Sequence, residues 1–175
     1  MTTHVALLRG INVGTAKRVA MPALRELATR LGYADVATHI NSGNLLLSTD
    51  EDAATLRRRL EQGIEETFGL HADVVVRTRE QLAAALAACP FPDGDPSRVV
   101  IAFLAGPAPT GLEERLATVA AEDEPFRVHG CEVHLEYGHG QASSRLAVAL
   151  AVTLGVPATV RNLRTVTKLV DLARR

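Results

Sequence analysis

The chain has 175 residues, 47% hydrophobic and 22% charged, which is typical of a globular protein with one large domain or two small ones. It contains no run of about 18 apolar residues, so no membrane partner is predicted, and two cysteines are too few for a disulfide framework. The net charge of -1 weakens the case for sequence-independent DNA binding, and 3% aromatic residues leave little for stacking on bases.

The first half of the chain predicts the order β-α-β-β-α-β. Pro22 would lie in the first turn of the first helix. The side-chain oxygens of residues 48–50 would cap the second helix. Asn41-Ser42-Gly43-Asn44 predicts a hairpin turn, because Asn and Gly tolerate positive φ. The apolar runs that predict the strands lie at 4–9, 35–40, 45–47 and 71–77.

The second half repeats this order after a helix capped by Thr78 and a Pro/Gly/Asp-rich loop at 91–96. Alternation over 131–137 predicts a strand with one wet face, which carries Glu132, His134 and Glu136. The other predicted elements are strands at 98–104, 126–129 and 158–160 and helices that begin at Thr110, at Ser143 or Ser144, and before Val166.

These patterns predict an α+β fold of two tandem ferredoxin-like (βαββαβ) units with antiparallel sheets and an extra C-terminal helix. The first unit would span 1–77, a helix and linker 78–97, and the second unit 98–175. One compact domain built from both units is the alternative.

Two polar loops would meet at one edge of the first sheet. In the strand order 4-1-3-2, the loop leaving the first strand and the hairpin between the second and third strands leave the same edge. Backbone N–H groups, amides and basic side chains there would suit a phosphate or carboxylate. The alternative, equally weighted, is that the asparagines only stabilise their own turns. The residues concerned are Arg9, Gly10, Asn12, Gly14, Asn41, Ser42, Gly43 and Asn44, with Lys17 and Arg18 nearby.

Five polar and apolar motifs stand out along the chain. They are Leu8-Arg9-Gly10-Ile11-Asn12-Val13-Gly14, Met21-Pro22-x-Leu24, Ile40-Asn41-Ser42-Gly43-Asn44, Ser144-Arg145-Leu146 and Val160-Arg161-Asn162-x-x-Thr165-Val166-x-Lys168-Leu169. In this order they resemble a bacterial family called domain of unknown function 1697. The resemblance implies two ferredoxin-like units and assigns no activity. This chain departs from the usual family pattern at Thr15, where a second glycine is common, and at Leu163 and Arg164, where Trp and Asn are common.

The C-terminal motif predicts a second group of polar residues. Arg161, Thr165 and Lys168 recur at i, i+4 and i+7, which would place them on one helical face. We predict that Arg161 and Asn162 approach the two polar loops across the interface of the units. Ser144 and Arg145 would contribute to the same cleft.

The sequence predicts no metal site and no cofactor, since six histidines form neither an HExxH motif nor a cluster with CxxC. Ser42 is better explained as a turn residue than as a nucleophile. We therefore favour a binding module for an anionic small molecule or a nucleic-acid backbone, and the alternative is an enzyme acting on a phosphorylated or carboxylated small molecule. Without a signal peptide at its start, the chain is expected to be cytoplasmic. Its oligomeric state is open, with a monomer slightly favoured.

Overall fold

Two four-stranded antiparallel sheets and six α-helices make up the residues that this computed structural model describes, 1–12 and 18–174. They fall into two compact units, a first unit of Met1–Leu82 with Leu169–Arg175 and a second unit of Ala83–Lys168. Among the described residues, no helix is long and apolar enough to cross a membrane. The mixed α+β character predicted from the sequence is confirmed.

The first unit contains a sheet in the order β2-β3-β1-β4, which is the strand order expected from the sequence. β1 lies in the middle, where Ala6 is opposite Leu45 of β3 and Val76 of β4. The elements are β1 (Thr2–Leu8), α1 (Met21–Arg30), β2 (Ala34–His39), β3 (Asn44–Thr49), α2 (Ala53–Phe68) and β4 (Val74–Thr78).

The second unit contains a sheet in the corresponding order, β6-β7-β5-β8. Helix α3 (Arg79–Ala87) leads into this unit, and α6 (Leu163–Leu172) leads out of it. Between them lie β5 (Val99–Leu104), α4 (Leu112–Ala117), β6 (Phe126–His129), β7 (Glu132–Glu136), α5 (Arg145–Thr153) and β8 (Ala158–Asn162).

The helices cover one face of each sheet. Leu56, Leu60 and Ile64 recur every four residues on α2 and pack against β1 side chains such as Ala6 and Leu8. In the second unit, Leu112, Leu116, Leu146 and Leu150 pack in the same way against β5 and β7. The opposite sheet faces are also buried, as Leu7 and Phe103 show.

The prediction that one face of β7 is exposed to solvent is therefore wrong at the centre of the strand. His134 is 1% exposed, and its Nε2 lies 2.8 Å from the carbonyl oxygen of Ala85. Because a carbonyl only accepts, Nε2 carries the proton. The alternating sequence pattern predicts that this side chain is exposed to solvent, whereas side chains on both faces of the strand are buried.

Two helix starts differ from the prediction. β3 extends to Thr49, which pairs with Thr2, so α2 begins later and is capped by Asp52. The Asp52 carboxylate accepts hydrogen bonds from the backbone N–H groups of Ala54 and Thr55. Helix α4 has Gly111 rather than Thr110 at its N-cap, with φ of 74°.

The register of the two sheets shows a residue-level repeat between the two units. Val5 of β1 lies opposite Arg77 of β4, and Ile101 of β5 lies opposite Arg161 of β8. Both arginines are 8% exposed, and each donates to the carbonyl oxygen of the preceding valine. Arg77 and Arg161 thus occupy equivalent positions in their units.

Candidate functional site

The loop after β1 and the β2–β3 hairpin lie side by side in the first unit, as the strand order predicted. The backbone N–H of Leu8 donates to the carbonyl oxygen of Gly43 at 2.8 Å. The side-chain amide of Asn12 donates to the carbonyl oxygen of Asn41, also at 2.8 Å.

Asn12 connects three segments of this edge. Besides Asn41, its Nδ2 donates to the carbonyl oxygen of Val19 at 2.9 Å, and its Oδ1 accepts from the Val19 N–H at 2.8 Å. The residue has φ of 55°, a left-handed conformation that Asn tolerates better than most residues. Both amide hydrogens are thus used within the protein, and Asn12 positions the loop rather than offering a donor to a ligand.

Asn44 has a similar role inside the hairpin. It is fully buried, and its Nδ2 donates to the His39 carbonyl oxygen at 2.9 Å and to Ser42 Oγ at 3.0 Å. The turn-stabilising alternative therefore accounts for Asn12 and Asn44. The contact to Ser42 also fits that residue's interpretation as a turn serine.

Arg18 and Asn41 differ from these two asparagines. Both are exposed and line a cleft of about 390 Å³ together with Asn12, Val19 and Ala20. Within residues 1–12 and 18–174, neither the Arg18 guanidinium nor the Asn41 side-chain amide makes a hydrogen bond or ion pair. Among the described residues that line this cleft, they are the side chains with polar groups still available to a ligand.

Arg9 and the glycines complete the first group of predicted residues. Arg9 Nη1 lies 3.9 Å from Asp73 Oδ2, so a carboxylate partly neutralises its charge. Gly10 has φ of 76°, and a Cβ there would meet nothing within 4 Å. Gly14, like Lys17, lies outside the described residues.

Ser144 and Arg145 lie at the start of α5 in the second unit. Ser144 Oγ accepts from the Ala147 N–H at 2.9 Å, which confirms a helix start there. The buried carboxylate of Glu124 accepts from the Leu146 N–H at 3.3 Å, so this helix end already holds an internal anion. Arg145 and Val148 are among the residues that line a separate cleft of about 510 Å³.

Replacing Glu124 with glutamine is expected to lower the free energy of unfolding at pH 7 by about 1–2 kcal/mol. Burial alone would raise the pKa of Glu124, but hydrogen bonds from the Ser144 hydroxyl and nearby backbone N–H groups outweigh it and hold that pKa below its usual range. A lowered pKa means that the stabilisation is complete above the unfolded value of about 4.3 and disappears as pH falls through the folded pKa.

Urea unfolding between pH 7 and pH 3 measures this effect. The difference between wild type and Glu124→Gln should shrink toward zero in acid. Glu122→Gln, which changes an exposed carboxylate two residues away, should have little effect at any pH. A difference for Glu124→Gln that does not vary with pH would contradict the role of its charge.

The helical face predicted for the C-terminal motif is wrong. Arg161 and Asn162 are the last residues of β8, and Asn162 Oδ1 accepts from the Thr165 N–H at 2.9 Å near the start of α6. Asn162 therefore caps the helix. Arg161 lies on the strand instead of sharing a helical face with Thr165 and Lys168. The local pattern could not locate this boundary, because the strand continues two residues beyond its apolar part.

Arg161 is held inside the second unit. Its Nη1 donates to Thr159 Oγ1 at 2.6 Å and to the Val160 carbonyl oxygen at 2.8 Å, and burial lowers its pKa to about 10. Lys168 is exposed. The convergence of Arg161 and Asn162 on the loops of the first unit stays a prediction.

Sequence reasoning missed Arg77, the first-unit counterpart of Arg161. The signal that could have found it is a valine–arginine pair near the end of the last strand of each half, Val76-Arg77 and Val160-Arg161. Among the residues that the structure describes, no group of three His, Cys, Asp or Glu side chains could hold a metal.

Comparison with known proteins adds a family and a fold. The model of a protein family of unknown function, DUF1697, matches residues 1–134. The conserved bacterial protein SP0830 from Streptococcus pneumoniae has a similar structure, with 24% identity, 98% coverage of both chains and a TM-score of 0.78. At that identity the likeness shows the fold alone. No curated protein matches the chain.

Proposed function

We propose that this chain, which belongs to the DUF1697 family of proteins of unknown function, is a binding module for an anionic, phosphate-bearing ligand. The ligand would lie in the first-unit cleft beside Arg18 and Asn41. We also propose that each unit is a ferredoxin-like fold, since both sheets have the corresponding strand order. The predicted contribution of second-unit residues also remains a proposal. These residues are Ser144, Arg145, Arg161, Asn162, Thr165 and Lys168.

The observation that carries the proposal is that the Arg18 guanidinium and the Asn41 amide lie on one concave surface and make no hydrogen bond or ion pair to any residue that the structure describes. Arginine presents a rigid fork of donors that matches phosphate or carboxylate oxygens, and the Asn41 amide can add two donors. The cleft volume of about 390 Å³ falls in the range of small-molecule sites. Asn12 holds the loop after β1 against the β2–β3 hairpin, and Asn44 stabilises the hairpin. Their amide groups are used in these contacts and do not compete for the ligand.

The corresponding loops of the second unit provide an internal comparison. There the loop after β5 reads Ala105-Gly106-Pro107-Ala108-Pro109, and the N–H of Ala108 donates to the carbonyl oxygen of Gly130. These loops are joined by backbone contacts and carry no charged side chain over 105–109. The topology therefore does not require the polar residues of the first unit, which supports a ligand as the reason for them.

We expect phosphate-bearing compounds to raise the melting temperature of the wild type and to lose this effect in Arg18→Ala. A ligand at one hundred times its dissociation constant stabilises the folded state by about 2.7 kcal/mol. Asn41→Ala should weaken the shift. Both variants should melt like the wild type without ligand, because both side chains are exposed and neither makes a hydrogen bond or ion pair to another described residue. Thermal-shift screening with nucleotides, sugar phosphates and oligonucleotides makes the measurement.

Arg127→Ala is the matched control, since it removes an exposed arginine from the second unit. A ligand shift that survives in Arg18→Ala and falls in Arg127→Ala would contradict the proposed cleft. A shift produced only by oligonucleotides and abolished by salt would identify the ligand as a nucleic-acid backbone.

An enzyme is the second candidate, and one contact favours it. His71 Nε2 lies 3.3 Å from Asp73 Oδ1, and the Asp73 carbonyl oxygen accepts from the N–H of Arg9. A carboxylate that orients an imidazole is the arrangement of a general base. Consumption of a phosphorylated compound that also shifts the melting temperature would favour this candidate over a binding module.

A further inference from the structure

Helix α5 presents an apolar face to solvent. Val148 is 67% exposed, and Val152, one turn further along the helix, is 80% exposed. Residues four positions apart lie on the same side of a helix, so the two valines form a continuous ridge. Val119, which follows α4, is also exposed and lines the same cleft of about 510 Å³ as Val148. A contiguous apolar surface of this kind is typical of an interaction site.

The corresponding helix of the first unit shows that the fold does not require this surface. Helix α2 also connects the third and fourth strands of its unit, and its exposed positions carry polar residues such as Gln62 and Glu66. Helix α5 has nine residues, and Arg145 is its only charged one. Valine is also a weaker helix former than alanine, because its branched Cβ restricts χ1. Helix propensity therefore does not explain Val148 and Val152, and neither does burial.

The charge distribution along α5 indicates what a partner must offer. Arg145 is exposed at the first position of the helix, where the helix dipole disfavours a cation. Its guanidinium makes no hydrogen bond or ion pair to any residue that the structure describes. The last turn, 150–153, contains no basic residue, and the carbonyl oxygens at the end of a helix carry a partial negative charge. The apolar ridge thus has a cation at one end and a partial negative charge at the other.

We infer that a second copy of this chain covers this face, and that the two α5 helices pack antiparallel about a two-fold axis. An axis midway between Val148 and Val152 sets Val148 of one copy against Val152 of the other, so each ridge covers the other. Arg145 precedes Val148 by about 4.5 Å along the helix, and the last turn ends about 1.5 Å after Val152. Each Arg145 therefore lies just beyond the last turn of the other helix, in the direction in which its carbonyl oxygens point.

A second copy fits this face because the face is complementary to itself. The antiparallel arrangement pairs the apolar ridge with an identical ridge and each cation with the negative end of a helix, as a two-fold interface requires. The surface is small, which is typical of a weak and reversible dimer. The inference gives a dimer instead of the monomer that the sequence slightly favours. It does not depend on the anion site of the first unit, and it replaces the predicted contribution of Arg145 to that site.

Sedimentation equilibrium of the full chain between about 5 and 500 μM tests the inference. The mass of the wild type should rise from 18.7 kDa toward twice that value as the concentration increases. Val148→Glu brings two carboxylates close to the axis, so its mass should stay at 18.7 kDa throughout. Arg145→Ala should raise the dissociation constant of the dimer about tenfold, because two symmetric contacts to helix ends are lost. Ala54→Glu, which adds a carboxylate to an exposed position of α2, should behave like the wild type.

A double variant, Val148→Thr with Val152→Thr, keeps the shape of both side chains and replaces Val148→Glu if that variant does not fold. It should raise the dissociation constant about tenfold or more. A wild-type mass of 18.7 kDa at every concentration would overturn the inference and leave the face to a different protein. A dimer that persists in Val148→Glu would also overturn it, because that dimer would use another surface. Loss of association in Val148→Glu with no change in Arg145→Ala would overturn the antiparallel arrangement.

Discussion

Replacing Arg161 with alanine is expected to lower the free energy of unfolding by about 3 kcal/mol. Arg161 is 8% exposed, and its guanidinium donates to the Thr159 hydroxyl and the Val160 carbonyl oxygen. Its removal takes one donor away from each of these two acceptors and leaves a cavity where the side-chain stem packed. Urea unfolding measures the loss as a lower midpoint at an unchanged m-value.

Two other arginine variants should be compared with Arg161→Ala in this experiment. Arg127→Ala removes an exposed arginine from β6 of the same unit, and it should change stability by less than about 0.5 kcal/mol. Arg77→Ala removes the equivalent arginine of the first unit, so its cost should resemble that of Arg161→Ala. An Arg161→Ala protein as stable as Arg127→Ala would show that Arg161 is not needed for the fold. That result would favour the prediction that Arg161 binds a ligand.

The order of the elements could be predicted from the sequence because it depends on local patterns. Short apolar runs alternate with segments of helical period, and Gly or Asn marks most of the ends. The strand order then follows from the connections, and it brings the loop after β1 next to the hairpin of Asn41. Each of these steps uses neighbours in sequence or a rule about topology.

The roles of individual polar residues could not be predicted, because their partners are distant in the chain. Asn12 contacts the carbonyl oxygen of Asn41, 29 positions away, and His134 contacts that of Ala85, 49 positions away. The sequence left it open whether Asn12 and Asn44 face a ligand or stabilise their own turns. The structure shows that their N–H groups are already used by carbonyl and hydroxyl oxygens of the protein, which is why we propose Arg18 and Asn41 as the ligand-binding groups.

The backbone of the candidate site depends on Gly43, and Gly43→Ala is expected to lower the free energy of unfolding by about 2–4 kcal/mol. The residue has φ of 78°, and an added Cβ would lie 2.7 Å from Ile11 Cδ1 and 2.9 Å from Leu8 Cβ. Ile11 is buried and has little room to move. Leu8 Cβ is fixed by β1, whose Leu8 N–H donates to the carbonyl oxygen of Gly43 itself.

Gly32→Ala separates the two causes of this loss. Gly32 has φ of 92°, but a Cβ there would meet nothing within 4 Å, so only the conformational cost of about 1 kcal/mol applies. The additional loss in Gly43→Ala measures the crowding against Leu8 and Ile11. Because relief of that crowding must move the hairpin away from the loop of Asn12, Gly43→Ala should also abolish the ligand-induced thermal shift, which Gly32→Ala should retain. Equal losses of stability in the two variants would show that the hairpin does not pack against the loop as closely as these distances require.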